Sequence, residues 1–247
     1  MEPFQPIRIR GVLADGLEQI LDRIRAGQIL EGDVLPSERL LAAQMEVSRP
    51  TVRSVIQRLT SSGVVHVTSG RGGGARVVSG WVPRELEEAA SSSLGAERVF
   101  ALLEARRTLE PRVAQLAALR GTAEDFERME QAILLSGAQR EDVRHADQAE
   151  SRFHRVMWRA AGNRDLERMM LGLERELRHV REWALTSADD YSAVPELHTA
   201  TLLALRDGDQ GAIEAEMGRH LTHLEVTAQR LLRQRVQRPI PDFLVSH

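Results

Sequence analysis

The sequence predicts a mainly α protein in two parts, an N-terminal winged helix-turn-helix domain and a C-terminal all-α helical bundle. Three observations predict it. Between residues 12 and 63, apolar residues recur at helical spacing, with serine caps and glycine stops between the runs. Two short β-prone runs then flank the glycine-rich stretch "SGRGGG", residues 69–74. From 95 to 235 the apolar spacing stays helical, and no strand pattern interrupts it.

The first helix is expected over 12–26, with Leu13, Leu17, Ile20, Leu21 and Ile24 on one face and Gly27 as its stop. Ser37 caps a short second helix, 37–44, with Glu38 where the helix dipole favours an acid. "MEV" turns the chain and Ser48 caps again, with Pro50 in a first turn that needs no N–H from it. On this third helix Val52, Val55, Ile56 and Leu59 form a stripe that needs a core, and Gly63 ends it. "VVHVT" and "ARVV" read as a hairpin, the wing.

Arg49, Arg53 and Gln57 fall on another face of the third helix, with Thr51 beside them. A helix held by one face and armed with arginine on another suits the DNA major groove, where arginine meets phosphate or guanine bidentately. Charge agrees. The chain carries a formal −3, yet residues 1–80 hold ten arginines against eight acids, and 39–76 hold six against Glu46 alone. A local basic patch points to a polyanion. Cysteine is absent, so disulfides and thiolate chemistry are excluded. Lysine is absent too, which excludes Schiff-base and phosphate-loop lysines. No apolar run approaches a membrane span and no signal-type core follows the start, so a cytoplasmic protein without a membrane partner is expected.

"LPSERLLAAQMEVSRPTVRSVIQRLTSSGVV…SGRGGGARV" resembles the DNA-binding domain of the GntR family of bacterial transcription regulators. The resemblance implies DNA contacts by Arg39, Ser48, Arg49, Thr51 and Arg53, and a wing reaching the minor groove through Ser69, Gly70 and Arg71. Glu31 departs from that family, which usually has proline before the glycine.

A linker is expected at 79–94, between a DNA-binding domain at 1–78 and a helical domain at 95–235, with a loose tail at 236–247. Helices are expected over 95–120, 122–136, 140–161, 164–186, 195–206 and 209–235. Projected at helical pitch, several inward faces are not purely apolar. Arg106 and Glu110 interrupt the stripe of Val99, Leu102, Leu103, Val113 and Ala117. Asp147, Glu150 and His154 lie with Val143, Phe153 and Met157, while His198 and His220 lie with leucines on the last two helices. A single inward histidine is usually a hydrogen-bonded core residue, and Arg106–Glu110 or Glu150–His154 can be simple ion pairs. Three helices each offering an imidazole, one with a carboxylate beside it, also make a plausible site for a divalent first-row metal of the Zn, Ni or Mn type. Asp147 stands as a second oxygen donor.

"LEARRTLEPRVAQLAA", "ESRFHRVMWRAAGN", "ELHTATLLALRDGD" and "MGRHL" resemble the FCD effector-binding domain of the FadR branch of the same family. The resemblance implies metal ligands Glu150, His154, His198 and His220, with Glu150 where the metal-binding members have aspartate, and Arg106 pairing with a carboxylate effector. The expected protein is not an enzyme. It is a homodimeric regulator, read as a repressor, that binds a roughly palindromic operator and answers to a small organic acid held near the metal. The alternatives are a regulator for which the ion itself is the signal, and a metal-dependent hydrolase.

Overall fold

Ser37 and Ser48 each begin a helix in the computed structural model, which describes residues 11–68, 70, 73–86, 95–139 and 141–232. The Ser37 hydroxyl accepts from the Leu40 N–H at 3.3 Å and the Ser48 hydroxyl from the Thr51 N–H at 3.2 Å, so each cap satisfies a donor the helix leaves open. The first unit runs α1 (Val12–Arg25), α2 (Glu38–Gln44), α3 (Arg49–Ser61), β1 (Val65–Thr68) and β2 (Gly74–Val77). Glu46 turns the chain between α2 and α3 at φ 54°, an uncommon conformation for a residue with a Cβ. Gly63 ends α3 at φ 71°, where glycine carries no steric penalty. β1 and β2 pair antiparallel, Val65 opposite Val77 and Thr68 opposite Gly74.

By contact the chain divides into two units, Met1–Ala89 and Ala90–His247. In the first, Leu21, Ile24, Val52, Val55, Ile56, Leu59, Val64 and Val77 share one core. Gly16, inside α1, lets that helix close on α3, because an added Cβ would stand 3.2 Å from Val55 Cγ2. Val82 and Leu86, in the stretch read as linker, are buried in this same core. Residues 87–94 and the tail 236–247 lie outside the described residues.

The second unit is helical: α4 (Ala96–Arg120), α5 (Ala123–Ala138), α6 (Val143–Ala160), α7 (Arg164–Ala184), α8 (Val194–Asp207) and α9 (Gln210–Leu232), with a 3-10 turn at Ala188–Tyr191. Thr122, Asp142 and Asn163 cap α5, α6 and α7 through their side-chain oxygens. Sequence reading begins α6 at 140, but the Asp142 cap fixes its start at Val143. α4 is the central helix, packed by α6, α7, α8 and α9. Pro111 removes one ladder bond from it, yet the helix runs through because Leu102, Leu103, Val113, Ala114 and Ala117 are buried along it.

Two apolar clusters fill this unit. One gathers Val113, Ala117, Phe153, Met157, Trp158, Leu205 and Met217, the other Val99, Leu102, Leu103, Leu177, Val180, Tyr191 and Leu224. Between them lies a polar layer. On α4 it is Arg106 and Glu110, on α6 Glu150 and His154, on α8 His198 and on α9 His220, all buried.

The two-faced design of α3 separates stability from surface chemistry. Leu59 is fully buried and Arg49 is exposed. Leu59→Ala is expected to cost about 2–5 kcal/mol and Arg49→Ala less than about 0.5 kcal/mol, read from hydrogen exchange of the α3 amides.

Candidate functional site

Two places gather the residues singled out by sequence, one in each unit. In the first unit, Arg39, Ser48, Arg49 and Arg53 are exposed and Thr51 is half-buried, spread over α2, the α3 cap and α3. Ser48 and Thr51 are joined hydroxyl to hydroxyl at 2.7 Å, so the cap and the first turn of α3 hold each other. Arg53 is tied across to α2. Its Nε and Nη2 donate to the two oxygens of Glu38 at 3.3 and 3.0 Å, a forked pair that fixes the guanidinium plane. That hydrogen bond to Arg53 lowers the Glu38 carboxyl below its ordinary range. Gly70 sits at the wing tip with φ 103°. Ser69 and Arg71 lie outside the described residues.

In the second unit the polar layer is tighter. Glu150 and His154 stand one turn apart on α6, and with His198 and His220 they bring four donor atoms within 4.8 Å of one another. His154 Nε2 is 2.9 Å from His220 Nε2 and 3.2 Å from Glu150 Oε1. The His198 ring stacks between Phe153, at 4.0 Å, and His220, at 4.7 Å. Arg106 enters from α4, with Nη2 3.0 Å from His154 Nε2 and 3.6 Å from Glu150 Oε1.

Among the described residues several of these atoms are buried without a hydrogen-bond partner: both ring nitrogens of His198, Nδ1 of His220 and Oε2 of Glu150, the last with the Arg181 guanidinium 3.4 Å away. Buried polar atoms are nearly always paired, so orphans concentrated at one point ask for a ligand. The donor set suits a metal. Tetrahedral ligands about 2.0–2.2 Å from a zinc-type ion stand roughly 3–4 Å apart, and here two of the separations are 2.9 and 3.2 Å with all four atoms inside 4.8 Å.

Electrostatics prepares the same atoms. Burial pushes His198 and His220 well below the ordinary imidazole range, which keeps them neutral with lone pairs available. Burial works to raise Glu150, but Arg181, His154 and Arg106 outweigh it and hold the carboxylate ionised. His154 is the exception among the imidazoles. Burial lowers it, yet Glu110 and Glu150 raise it to about 9.

Three residues around this cluster were not assigned roles from sequence, or were assigned too little. Glu110 is fully buried and accepts from His154 Nδ1 at 2.5 Å, from Trp158 Nε1 at 2.8 Å and from Arg106 Nε at 2.7 Å. It is more than the ion-pair partner of Arg106. Arg181 grips Glu174 with two nitrogens, at 2.9 and 2.6 Å, and Asp147 with Nε at 2.6 Å. Asp147 also accepts from the Tyr191 hydroxyl at 3.2 Å. The same Arg181 Nε lies 3.4 Å from Glu150 Oε2, so both carboxylates of α6 meet it, and of the two Glu150 is the one in the four-residue cluster. Projecting α7 would have shown the signal, since Glu174 and Arg181 share the face of Met170 and Leu177.

Among known proteins, residues 17–74 match the family described as "Bacterial regulatory proteins, gntR family" and residues 101–223 match "FCD domain". The Escherichia coli protein named "Putative L-lactate dehydrogenase operon regulatory protein" is 30% identical over 226 residues, 86% of each chain. The Bacillus subtilis regulator LutR is 29% identical, over 87% of this chain and all of its own. Among solved structures, Escherichia coli McbR/YncC shares the fold at a TM-score of 0.55 and 15% identity, covering 90% of this chain and 100% of that one.

The buried ion pairs make a stability test. Arg181→Met would leave Glu174 and Asp147 charged in the interior without their main partner, and should cost about 3–5 kcal/mol. Arg168→Ala, which removes an exposed pair with Asp165, should cost no more than about 1 kcal/mol in the same denaturation series.

Proposed function

The chain belongs to the gntR family of bacterial regulatory proteins and carries an FCD domain, and from that premise we propose that it is a transcription regulator whose operator affinity is set by a small carboxylic acid bound beside a divalent metal. Its relatives are named as regulators of transcription, not as enzymes, so the hydrolase alternative falls away. The observation that carries the metal reading is the gathering of one donor atom each from Glu150, His154, His198 and His220 within 4.8 Å, with both nitrogens of His198 unpaired among the described residues.

Glu150, His154, His198 and His220 would hold the ion, of the zinc, nickel or manganese type. Bound there, it supplies a Lewis-acidic point that takes a carboxylate oxygen. Arg106 supplies the second grip. Burial disfavours its charge, but Glu110 and Glu150 more than restore it, so the guanidinium stays cationic in the interior. A planar cation with its Nε already held by Glu110 offers its remaining N–H groups to a second oxygen of the same acid. The name of the Escherichia coli relative suggests the acid class, a short 2-hydroxy acid such as L-lactate.

On DNA, we assign base and phosphate contact to Arg39, Ser48, Arg49, Thr51 and Arg53, with Ser69, Gly70 and Arg71 of the wing reaching the minor groove. One winged domain contacts few bases, so specific binding calls for a homodimer on a roughly palindromic site. Acid binding changes DNA affinity only by favouring one of two states of that dimer. We read the protein as a cytoplasmic repressor that releases its operator when the acid binds.

The test uses DNA selected from a random library by the full chain, followed by fluorescence anisotropy with Ni²⁺ and L-lactate. Arg49→Ala and Arg53→Ala should each weaken the selected site by about 1–3 kcal/mol. His198→Ala and His220→Ala should keep DNA affinity and lose the response to lactate. Arg106→Gln should keep the metal and weaken the acid. A full response to Ni²⁺ alone, with nothing added by any acid, would make the ion itself the signal. Undiminished lactate response in both histidine variants would reject the site.

A further inference from the structure

We propose that Glu110 is the positioning residue of the interior site. Its one carboxylate sets which nitrogen of His154 faces the metal ligands and how far Arg106 reaches, so metal affinity and acid affinity depend on the same group. This rests on the reading of Glu150, His154, His198 and His220 as ligands.

The geometry divides the two oxygens of Glu110 between two tasks. Oε1 meets His154 Nδ1 at 2.5 Å, and Oε2 meets Arg106 Nε at 2.7 Å. Both oxygens already accept from groups that can only donate, Oε1 from Trp158 Nε1 and Oε2 from Arg106 Nε, so the contact places His154 Nδ1 as a third donor. That leaves Nε2 to bear the lone pair when the ring is neutral. Nε2 is also the atom that lies 2.9 Å from His220 Nε2 and 3.2 Å from Glu150 Oε1. The ring could not serve the cluster through Nδ1 without giving up Glu110. Carboxylates behind ligating histidines fix both tautomer and ring angle in this way, and their loss commonly costs 10–100-fold in metal affinity.

Arg106 is positioned by the other oxygen. With Nε held, its Nη2 lies 3.0 Å from His154 Nε2, at the edge of the cluster. Arg106 and Glu110 stand one turn apart on α4, while His154 and Trp158 stand one turn apart on α6. Trp158 Nε1 donates to Oε1 at 2.8 Å and so braces the carboxylate from the second helix. Glu110 has no exposed surface, so its two oxygens meet these donors and no solvent.

The test compares Glu110→Gln with wild type and with Trp158→Phe, all as full chains. Glutamine keeps the size, but its amide N–H₂ must face either Arg106 or the His154–Trp158 pair, so one task loses its acceptor. Calorimetry should show Ni²⁺ binding weakened 10–100-fold in Glu110→Gln and changed less than about threefold in Trp158→Phe, which leaves His154 and Arg106 with their carboxylate. L-lactate binding to the Ni²⁺-saturated protein should also weaken in Glu110→Gln. A second measurement needs no variant. Long-range ¹H–¹⁵N spectra of the Zn²⁺-loaded wild type should show His154 protonated at Nδ1. Equal Ni²⁺ affinity in folded Glu110→Gln, an equal loss in Trp158→Phe, or a proton on His154 Nε2 would each overturn the inference while the metal site stands. A wild type that binds no Ni²⁺ would overturn both.

Discussion

Charge buried between two apolar layers has to be answered on the spot, and that constraint organises the helical unit. Arg106, Glu110, Glu150, His154, Glu174 and Arg181 are all withdrawn from water. Isolated, each would cost several kcal/mol. The fold meets the cost by pairing: Arg106 with Glu110, Glu110 with His154, Arg181 with Glu174 and Asp147. What pairing leaves over is specific. Among the described residues both ring nitrogens of His198 are without a hydrogen-bond partner, while His220 meets His154 through Nε2 and leaves its Nδ1 unpaired. A core that kept this arrangement for stability alone would do better with leucine, because apolar packing often matches or exceeds a buried polar network. The arrangement makes sense as a site.

The DNA-facing unit solves a related problem in the opposite way. α1 buries an Arg25–Glu18 pair, but the charges of α3 stay outside, and α3 is held by Val52, Val55, Ile56 and Leu59. The surface arginines are then ordered by neighbours on the surface, as Glu38 orders Arg53. Such an exposed pair contributes little stability. It restricts where the guanidinium can point, which matters to a helix read as meeting base edges. The same residue type therefore serves two ends, Arg53 outside for reach and Arg106 inside for charge.

Much of this was legible in the sequence because its signals are local. The serine caps, the apolar stripes and the glycine stops fix the helices within a few residues, and the wing follows from two β-prone runs around glycines. The inward polar residues were legible as well, since Arg106, Glu110, Glu150, His154, His198 and His220 interrupt stripes that should be apolar. What periodicity does not carry is pairing between helices. Nothing in the spacing of α4 says that Glu110 reaches His154 and Trp158 on α6 as well as Arg106. Asp147 and Glu150 lie on one face of α6 and both meet Arg181, and what distinguishes them is the Tyr191 hydroxyl on Asp147 and the His154 ring beside Glu150. The 3-10 turn that buries Tyr191 lay in a stretch whose Ser, Asp and Pro content reads as plain loop.

In this reading Glu150, His154, His198 and His220 of the polar layer hold one divalent ion. Anomalous X-ray diffraction at the nickel edge, from crystals of protein purified with Ni²⁺ present, tests it most directly. One ion in this layer would give a single strong peak bounded by Glu150, His154, His198 and His220, with Asp147 remaining on Arg181. Absence of a peak there in metal-replete crystals, or a peak centred on Asp147 and Glu174, would contradict it.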